Sequence, residues 1–555
     1  MANTFAAKER SAILKEMSAT MLDLLVIGGG ITGAGIALDA QARGINTGLI
    51  EMLDFAEGTS SRSTKLVHGG LRYLKQFEIN LVAEVGKERK IVYENAPHVT
   101  TPIWMLLPIY KEGTLGKFTT SIGLKIYDFL AGVKKEERRI MLTREQTLEK
   151  EPLLKKEGLL GSGYYVEYRT DDARLTLEVI KEAVRRGVKA VNYVKAVGLL
   201  YDENGRVNGV RAVDQMTGKS YSIYAKKIVN ATGPWADTIR EMDHSKKGKT
   251  LHWTKGVHLV FHGKRFPLRN AVYFDTPYGD GRMIFAIPRA GKVYVGTTDT
   301  DYRGDLTRLK MTEEDRDYLL KATNNMFSGL DLTPTDIESS WAGVRPLIHE
   351  EGKDPSEISR KDEIFVSPSH LITIAGGKLT GYRKMAERTV DLVAKQLAQE
   401  SGKTYPPCFT DKIRLSGGDV GGGAGFSRFL QEKKRAGIAL GLHEAEAEKL
   451  ACMYGSNVNL LFEIIKSSSR EAEKVGLPTS LYAQILYGMQ EEMVAKPVDF
   501  FIRRTGALFF DIDGVKRWEE PVLRLMQQHL GWSDEETEGY KHELQEAITD
   551  ALGEH

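Results

Sequence analysis

The chain has 555 residues, of which 41% are hydrophobic, and this is enough for about three to four domain-sized units. Its 77 basic and 75 acidic residues leave a net charge of +2 at pH 7, so no overall positive field favours nucleic acid as a partner. Only Cys408 and Cys452 are present, outside any Cys-x-x-Cys pair, which fits a reducing compartment and excludes an all-cysteine iron–sulfur cluster or zinc ribbon.

A glycine-rich turn follows the first apolar run, which begins at Leu22 and has strand character. Gly28 permits the tight bend from strand to helix, Gly30 lets the backbone approach a pyrophosphate, and Gly33 lets the helix pack against the strand. Glu51 ends the next apolar run, 18 residues past Gly33, where a carboxylate can accept hydrogen bonds from an adenosine ribose. The pattern predicts a dinucleotide site that suits NAD and FAD equally, the alternative being an ordinary glycine-rich turn between a strand and a helix.

Loops, helices and short strands follow in an interleaved order. Residues 58–70 form a loop that is rich in hydroxyl side chains. Residues 173–186 have the apolar spacing of an amphipathic helix with Asp172 as its N-cap, and residues 188–194 that of a short strand. Residues 226–235 predict another strand, whose end in Ala-Thr-Gly again lets backbone approach a cofactor.

The rest of the chain predicts a second sheet and a helical end. In residues 251–298 short apolar runs alternate with glycine-bearing turns, which favours a mostly antiparallel sheet in a second domain. Residues 370–377 predict a buried strand that is followed by a helix. The glycine-dense residues 417–425 mark a boundary, beyond which about 130 residues carry helical patterns to the C-terminus.

Several motifs along nearly the whole chain resemble those of the FAD-dependent glycerol-3-phosphate dehydrogenases. They are IGGGITGAGIALDAQARG from Ile27, TSSRSTKLVHGGLRYL from Thr59, YRTDDARL from Tyr168, NATGPWAD from Asn230, KGVHLV from Lys255, VGTTDTDYRGD from Val295, AGVRPL from Ala342 and AGGKLTGYRKMAE from Ala375. Their combination is far more specific than the glycines alone. The resemblance implies an α/β fold with a glutathione-reductase-like FAD-binding domain, interleaved with an antiparallel β-sheet substrate domain, and an all-helical C-terminal cap domain.

We therefore expect three domains, two of them built from separated segments. The FAD-binding domain is expected to contain residues 20–90, 160–240 and 340–400. The substrate-binding domain is expected to contain residues 91–159 and 241–339, and the helical C-terminal domain residues 410–555.

Three separate approaches to the cofactor distinguish FAD from NAD. The loop at 59–64, the strand end at 230–233 and the glycine pair at 376–377 would enclose a long, retained cofactor, whereas a nicotinamide that exchanges at each turnover needs no such enclosure. The helix beginning near Lys378 would direct its positive N-terminal end at the flavin. We expect no catalytic metal. The residues expected to bind FAD are Gly28, Gly30, Gly33, Glu51, Thr59, Ser60, Ser61, Ser63, Gly69, Ala231, Thr232, Gly233, Asp299, Gly376, Gly377, Leu379 and Thr380.

The substrate that the resemblance implies is a phosphomonoester of a secondary alcohol, which requires cations for its phosphate. Arg72, Arg360 and Lys378 are assigned to the phosphate, with Tyr73 as an orienting hydroxyl. A guanidinium matches phosphate bidentately, which a lysine cannot do. The alternative for each arginine is a salt bridge at a domain interface.

Two residues are expected to act on the reacting hydroxyl. Arg345 would polarise the reacting oxygen, and His258 would take the hydroxyl proton as general base near neutral pH. The alternative for His258 is a strand histidine satisfied by a hydrogen bond. We expect His68 to order the flavin contact rather than to act as a base, and a covalent flavin link through it stays open.

The implied reaction is oxidation of sn-glycerol 3-phosphate to dihydroxyacetone phosphate by hydride transfer to FAD, with the electrons passed on to a membrane quinone. Oxidase relatives that use oxygen tend to carry an insertion in the middle of the chain, which this sequence lacks. The first alternative is a flavin-dependent amine or amino-acid oxidase of related fold that uses oxygen. The second is a flavoprotein that modifies tRNA, for which the net charge supplies no broad basic face.

The expected cellular location rests on the lack of a secretory signal or membrane-spanning segment and on one segment that could lie on a membrane surface. The N-terminus lacks the apolar segment of a secretory signal, and no window reaches about 18 uncharged apolar residues, so we expect a cytoplasmic chain. Residues 115–139 mix apolar and lysine side chains as an interfacial helix on the inner face of the cell membrane would, the alternative being a core-facing helix. The sequence leaves a homodimer open.

Overall fold

The computed structural model describes residues 5–68, 79–113, 138–350 and 361–554. The strands are β1 (Leu22–Ile27), β2 (Thr47–Ile50), β3 (Leu66–Val67), β4 (Thr100–Tyr110), β5 (Ile140–Leu142), β6 (Leu159–Thr170), β7 (Lys189–Val191), β8 (Val194–Tyr201), β9 (Val207–Asp214), β10 (Ser220–Asn230), β11 (Lys249–His262), β12 (Ala271–Asp275), β13 (Met283–Arg289), β14 (Lys292–Gly296), β15 (Thr300–Tyr302), β16 (Ile337–Glu350), β17 (Glu363–Val366) and β18 (Ile372–Ala375).

The helices follow the same chain order. They are α1 (Arg10–Ala19), α2 (Ile31–Ala42), α3 (Ile79–Asn95), α4 (Arg144–Lys150), α5 (Asp172–Arg185), α6 (Ala236–Met242), α7 (Glu313–Met326), α8 (Tyr382–Ser401), α9 (Gly422–Ala439), α10 (Glu444–Tyr454), α11 (Val458–Ser467), α12 (Ser469–Val475), α13 (Thr479–Glu491), α14 (Ala507–Phe510), α15 (Ile512–Leu530) and α16 (Asp534–Leu552). A π-helical segment, Asp499–Arg504, precedes α14.

The first sheet has β1 near its centre, in the order β17-β18-β10-β1-β2-β7, and β8 and β9 extend β10 as antiparallel neighbours. β1 runs parallel to β2 and β10, so that Ile27 lies opposite Ile50 and Asn230. Every residue of β1 except Asp23 is buried, as expected for a parallel strand in a sheet that helices cover. The carboxyl ends of three parallel strands therefore meet at one edge, beside the glycine-rich turn.

The second sheet is mostly antiparallel, as predicted, but it draws on more of the chain than residues 251–298. Its order is β15-β11-β14-β13-β12-β4-β6-β3, with β16 paired to β11 and β5 to β6, and β12 is parallel to β4. The long pairing of β11 with β16 sets His258 opposite Trp341. Residues distant in the sequence are thereby brought onto one surface.

Sheet membership differs from the expected division of the chain at two places. Residues 160–170 belong to β6 and residues 340–350 to β16, and both strands pair within the second sheet, although the division assigns them to the FAD-binding domain. A strand's sheet is decided by the partner of its backbone hydrogen bonds, which the hydrophobic pattern of the strand does not show. The limits of the three domains as units stay a prediction.

The C-terminal part is helical from α9 to α16, as the sequence pattern predicted. Its apolar side chains share a buried cluster with the second sheet, which includes Trp341 and Phe509. The Ser339 hydroxyl donates to the Phe509 carbonyl at 2.6 Å, and the Ser340 hydroxyl donates to the Ala551 carbonyl at 3.1 Å. Hydrogen bonds and apolar contacts thus join the helical domain to β16.

A buried cluster of charged side chains joins α5 to the C-terminal helices. Arg174 lies 2.7 Å from Glu492 and also pairs with Glu178. The Lys181 ammonium lies 2.9 Å from Glu492 and 3.1 Å from Glu178. Burial by itself raises the pKa of Glu178, but Lys181 and Arg174 outweigh it and lower the pKa to about 2. The cluster is therefore charged at neutral pH.

Arg174→Met should lower the free energy of unfolding by about 3–5 kcal/mol, because it leaves buried carboxylates with too little positive charge. Denaturation in urea measures this. Arg186→Met is the matched control, since it removes a more exposed pair between Arg186, which follows the last residue of α5, and Glu182, and it should change the free energy of unfolding by less than about 1 kcal/mol. Equal effects of the two substitutions would contradict the stated role of the cluster.

Candidate functional site

A cavity of about 520 Å³ lies where the two sheets meet, and most of the predicted site residues line it. Those that line it are Gly28, Gly30, Glu51, Thr59, Ser60, Ser63, Ala231, Thr232, Gly233, His258, Asp299, Arg345, Gly376, Gly377, Lys378, Leu379 and Thr380. Gly33 and Ser61 are not among the lining residues. Gly69, Arg72, Tyr73 and Arg360 lie outside the described residues, as does most of the segment 115–139.

The glycine-rich turn is shaped by close backbone contacts. The Gly28 N–H donates to the Ile50 carbonyl at 2.8 Å, and Gly28 has a φ of +114°. A Cβ atom at Gly28 would lie 2.5 Å from the Ala231 carbonyl oxygen, and one at Gly33 would overlap the Gly28 carbonyl. Gly30 is the N-cap of α2, so the backbone N–H groups that begin this helix face the cavity side of the turn. A pyrophosphate fits such a cradle.

Glu51 is tied to the turn by two backbone hydrogen bonds. Its carboxylate accepts from the Gly29 N–H at 2.7 Å and from the Leu53 N–H at 2.9 Å, one on each oxygen. Burial outweighs these hydrogen bonds and raises the pKa of Glu51 to about 7. The carboxylate therefore orients the loop after β2 and remains at the cavity wall, where a ribose hydroxyl could donate to it.

Several hydroxyl groups of the hydroxyl-rich loop form hydrogen bonds within the protein. The Ser60 hydroxyl accepts from the Ile31 N–H at 2.9 Å, which places it at the start of α2. The Thr59 hydroxyl donates to the Val344 carbonyl at 2.8 Å, and the Ser63 hydroxyl donates to Asp172 at 2.7 Å. Ser61 is buried beneath the loop and its hydroxyl donates to the Glu57 carbonyl at 3.4 Å.

Asp172 has a different role from the one predicted. Asp171 is the N-cap of α5, because its carboxylate accepts from the Arg174 N–H at 3.1 Å. Asp172 instead accepts from Ser63 and from the Lys65 ammonium, which is 2.6 Å away. Neither the buried Lys65 nor its link to Asp172 could be inferred from the sequence, since the two residues are more than a hundred positions apart.

Two further backbone segments approach the cavity at the ends of β10 and β18. The Ala231 N–H donates to the Ile27 carbonyl at 2.8 Å, which holds this strand end against the glycine-rich turn. Gly376 and Gly377 have φ values of +75° and +83°. A Cβ atom at Gly377 would lie 2.5 Å from the Met385 sulfur. The sequence prediction that small residues are needed here therefore has a steric reason.

The helix expected near Lys378 begins more gradually than predicted. A 3-10 turn spans Leu379–Gly381 with Lys378 as its N-cap, and α8 starts at Tyr382. The Thr380 hydroxyl donates to the His68 carbonyl at 3.2 Å. The cavity thus faces the N-terminal end of the turn rather than that of an uninterrupted α-helix.

Arg345 projects from β16 and is held by three oxygen atoms. Its guanidinium lies 3.2 Å from the Asp299 carboxylate and donates to the Thr297 hydroxyl at 3.1 Å and the Thr298 carbonyl at 3.4 Å. Gly256 leaves the room that this requires, because a Cβ atom there would lie 2.7 Å from a guanidinium nitrogen. Asp299, expected at the cofactor, lines the cavity and is also a partner of Arg345.

His258 faces the same cavity from β11. Its ring stacks on Trp341 with 4.7 Å between centroids, and its Nε2 lies 3.0 Å from the Thr64 hydroxyl. Nδ1 is buried and has no hydrogen-bond partner among the described residues. Burial, with smaller contributions from Arg345 and Lys65, holds the pKa of His258 well below its usual range, so the imidazole is neutral at pH 7.

Aromatic residues of the second sheet cover the cavity, and the sequence prediction missed them. Tyr273 and Phe285 stack with 4.1 Å between centroids, and His68 meets Phe285 edge-on at 6.0 Å. Burial, with Lys378 and Arg89 nearby, lowers the pKa of His68 to about 3. The alternation of side chains along β13 could have indicated that one face of this strand points inward. It could not have indicated which cavity that face covers.

Neither a metal site nor a membrane span is found in the described ranges. No three or more histidine, cysteine or acidic side chains there are grouped so that they could hold a metal ion. No helix in those ranges combines the length and hydropathy that crossing a membrane requires.

Two protein families match the chain. The family described as FAD dependent oxidoreductase matches residues 23–422, and the family described as C-terminal domain of alpha-glycerophosphate oxidase matches residues 408–537. The aerobic glycerol-3-phosphate dehydrogenase of Bacillus subtilis is 59% identical over 100% of this chain and 99% of its own. That of Staphylococcus aureus is 56% identical over 98% of this chain and 97% of its own.

A solved structure is similar along its whole length. The X-ray structure of the glycerol-3-phosphate dehydrogenase from Bacillus halodurans, complexed with FAD, has a TM-score of 0.86 and 55% sequence identity. The match covers 99% of this chain and 98% of that one. The expected fold class, an FAD-binding fold with an appended helical domain, is confirmed.

The stability of the cofactor-free protein should fall between pH 5 and pH 8 because of Glu51. Its pKa of about 7 in the folded chain exceeds the value of about 4.5 expected after unfolding, so the contribution is complete below pH 4.5 and is lost as pH rises through 7. Glu51→Gln should reduce this loss by about 1–3 kcal/mol, measured by urea denaturation at each pH. Glu203→Gln, at an exposed turn, is the control and should leave the loss unchanged.

Proposed function

We propose that this chain, which belongs to the FAD-dependent oxidoreductase family and within it to the aerobic glycerol-3-phosphate dehydrogenases, oxidises sn-glycerol 3-phosphate to dihydroxyacetone phosphate. The observation that carries the proposal is that His258 and Arg345 line one cavity with the glycine-rich turn. A neutral imidazole and a fixed guanidinium are thereby set beside a dinucleotide cradle. This combination suits proton removal and hydride transfer from an alcohol.

The residues around the cavity fit FAD. Gly28 and Gly30 give backbone access for a pyrophosphate, and Glu51 offers a carboxylate to a ribose. The glycine pair Gly376-Gly377 brings another stretch of backbone to the same cavity. FAD, when bound, supplies the acceptor for the hydride of the alcohol carbon.

His258 and Arg345 divide the work on the substrate hydroxyl in this proposal. Arg345 polarises the hydroxyl oxygen, and its contacts with Asp299 and Thr297 fix the guanidinium before substrate arrives. His258 takes the hydroxyl proton; burial keeps its imidazole in the neutral form that can accept a proton at pH 7, while the lowered pKa also makes the ring a weaker base than a solvent-exposed histidine. Thr64 at Nε2 orients the ring.

The phosphate site of the proposal combines one described cation with three residues outside the described ranges. Lys378 lines the cavity next to the glycine pair. Arg72 and Arg360 would bind the phosphate with it, and Tyr73 would orient the substrate. Two arginines and one lysine would supply three cations, which suits the double negative charge of a phosphate better than the single charge of a carboxylate, and each arginine could bind two phosphate oxygens.

The electron acceptor in the proposal is a membrane quinone, reached by docking on the inner face of the cell membrane through residues 115–139. Support comes from the name aerobic glycerol-3-phosphate dehydrogenase that the relatives carry and from the basic and apolar composition of that segment. The proposal also includes a homodimer, which a measurement of the molar mass in solution would test. An amine or amino-acid oxidase that uses oxygen would have no need of a phosphate site.

Anaerobic spectroscopy tests the substrate. The yellow absorbance of the flavin should bleach on addition of glycerol 3-phosphate, because hydride transfer reduces the ring system and no acceptor is present. Glycerol and amino acids should leave the spectrum unchanged. Bleaching by an amino acid, with none by glycerol 3-phosphate, would replace the proposal with the oxidase alternative.

Arg345→Lys should lower kcat by about 100-fold or more while the protein stays yellow, because one ammonium cannot reproduce the fork that Arg345 presents to Asp299 and the reacting oxygen. Steady-state kinetics and the flavin-to-protein absorbance ratio measure the two effects. Arg303→Lys, at an exposed position, is the control. Normal kinetics of the Arg345 variant would remove this residue from the reaction.

The acceptor is tested by reoxidation of the reduced protein. A short-chain quinone should restore the yellow absorbance at least about tenfold faster than dissolved oxygen at equal concentration, since a dehydrogenase directs its electrons to a carrier. Stopped-flow absorbance gives both rates. Comparable rates, with hydrogen peroxide as product, would identify an oxidase instead.

A further inference from the structure

The loop after β2, residues 51–57, is bonded in both directions to the glycine-rich turn; we call it the ribose loop. At one end the Gly29 N–H donates to Glu51 at 2.7 Å, and near the other the Ala56 N–H donates to the Gly29 carbonyl at 3.0 Å. A Cβ atom at Gly29 would lie 2.7 Å from the Phe55 ring, so the two segments are also in close contact. A shift of the ribose loop must therefore move the turn.

Asp54, in the middle of the ribose loop, is completely buried and ion-paired to the C-terminal domain. Arg503 Nε lies 2.5 Å from one carboxylate oxygen, and Arg504 donates to both, at 2.9 Å for Nη2. The Asn192 amide donates at 2.9 Å. Burial by itself raises the pKa of Asp54, but Arg504 and Arg503 lower it to about 2, so the carboxylate stays charged between its two partners.

The two arginines are themselves fixed within the helical domain. They end the π-helical segment Asp499–Arg504, and Arg504 donates to the Glu492 carbonyl at 2.7 Å. Arg503 donates to Asp499 at 2.8 Å. A second link returns to the ribose loop through Tyr193, whose hydroxyl donates to Asp499 at 2.5 Å while its N–H donates to the Leu53 carbonyl at 2.8 Å.

We propose that the C-terminal helical domain positions the adenosine end of the FAD site, with Arg503 and Arg504 holding Asp54 and thereby the ribose loop. The inference rests on the proposed function in one respect, that this cavity holds FAD. Neither arginine lines the cavity. They are positioning residues, which act through Asp54 on Glu51 and on the backbone of Gly29.

The physical reason lies in the cost of a buried carboxylate. Without Arg503, the Arg504 guanidinium remains to balance two buried carboxylates, those of Asp54 and Asp499, and a buried ion that loses one partner is strongly destabilised. Asp54 therefore moves towards solvent. The ribose loop moves with it. Glu51 then loses its fixed orientation towards the ribose, and the glycine-rich turn loses the hydrogen bonds that keep its N–H groups aligned for a pyrophosphate.

The test measures FAD affinity rather than turnover. Arg503→Met should raise the Kd for FAD about tenfold. The fluorescence of released flavin measures this change. Arg503→Lys, which keeps the charge, should recover part of the affinity. Arg185→Met is the control. It removes another contact with the helical domain, a 2.8 Å hydrogen bond from Arg185 to Asn457, and neither residue is near the ribose loop in the sequence. The Kd of this variant for FAD should equal that of the wild type.

A second measurement separates positioning from general loss of stability. In the FAD-bound protein, hydrogen exchange of a peptide covering residues 51–58 should accelerate in the Arg503 variant and not in the control. If Arg503→Met does not fold, Tyr193→Phe provides the milder change, with an expected two- to fivefold rise in Kd, since it removes only the hydroxyl bond to Asp499.

The outcomes distinguish this inference from the proposed function. A wild-type protein that retains no FAD would overturn the proposed function and this inference with it. Wild-type protein that retains FAD, together with folded Arg503 or Tyr193 variants of unchanged Kd and exchange, would overturn this inference alone. A Kd that rises equally in the Arg185 control would also overturn it, because the effect would then follow any weakening of the domain contact.

Discussion

The carboxyl ends of β2, β1 and β10 converge at Gly28, where the backbone leaves no room for a side chain. Hydrogen bonds from Gly28 to Ile50 and from Ala231 to Ile27 hold the three strand ends together. Because the turn is closed in this way, the first backbone N–H groups of α2 are fixed and directed outward from the sheet. Every other part of the site is positioned relative to this point.

The second sheet contributes the side chains of His258 and Arg345 to the cavity that the glycine-rich turn also lines. Pairing of β11 with β16 places His258 over Trp341, and Arg345 on the same cavity wall. Burial keeps the imidazole neutral, while the Arg345 guanidinium lies 3.2 Å from the Asp299 carboxylate. A neutral imidazole and a guanidinium can therefore line one cavity without repulsion between two positive charges.

The helical domain is joined to the other two by buried charges as well as by apolar packing. One cluster links α5 to Glu492, and another links Asp54 of the ribose loop to Arg503 and Arg504. Buried ion pairs tolerate little displacement because each separated charge loses both its partner and its hydration. The helices are thereby connected mechanically to the cofactor end of the cavity, which gives this domain a role that its sequence pattern does not reveal.

The sequence by itself determined the elements whose cause is local: the glycine-rich turn, the acidic residue that ends β2, the helical C-terminal part, and through its motifs the family and the cofactor. The tertiary structure decided which strands pair, so that β6 and β16 belong to the second sheet. It also showed that the N-cap of α5 is Asp171 and not the predicted Asp172. It also decided that Asp299 holds Arg345 and that Lys65 meets Asp172. Spacing along a chain encodes periodicity and turns, whereas partners that are 46 positions apart, as Asp299 and Arg345 are, or 107, as Lys65 and Asp172 are, meet only when the packed backbone brings them within hydrogen-bond distance.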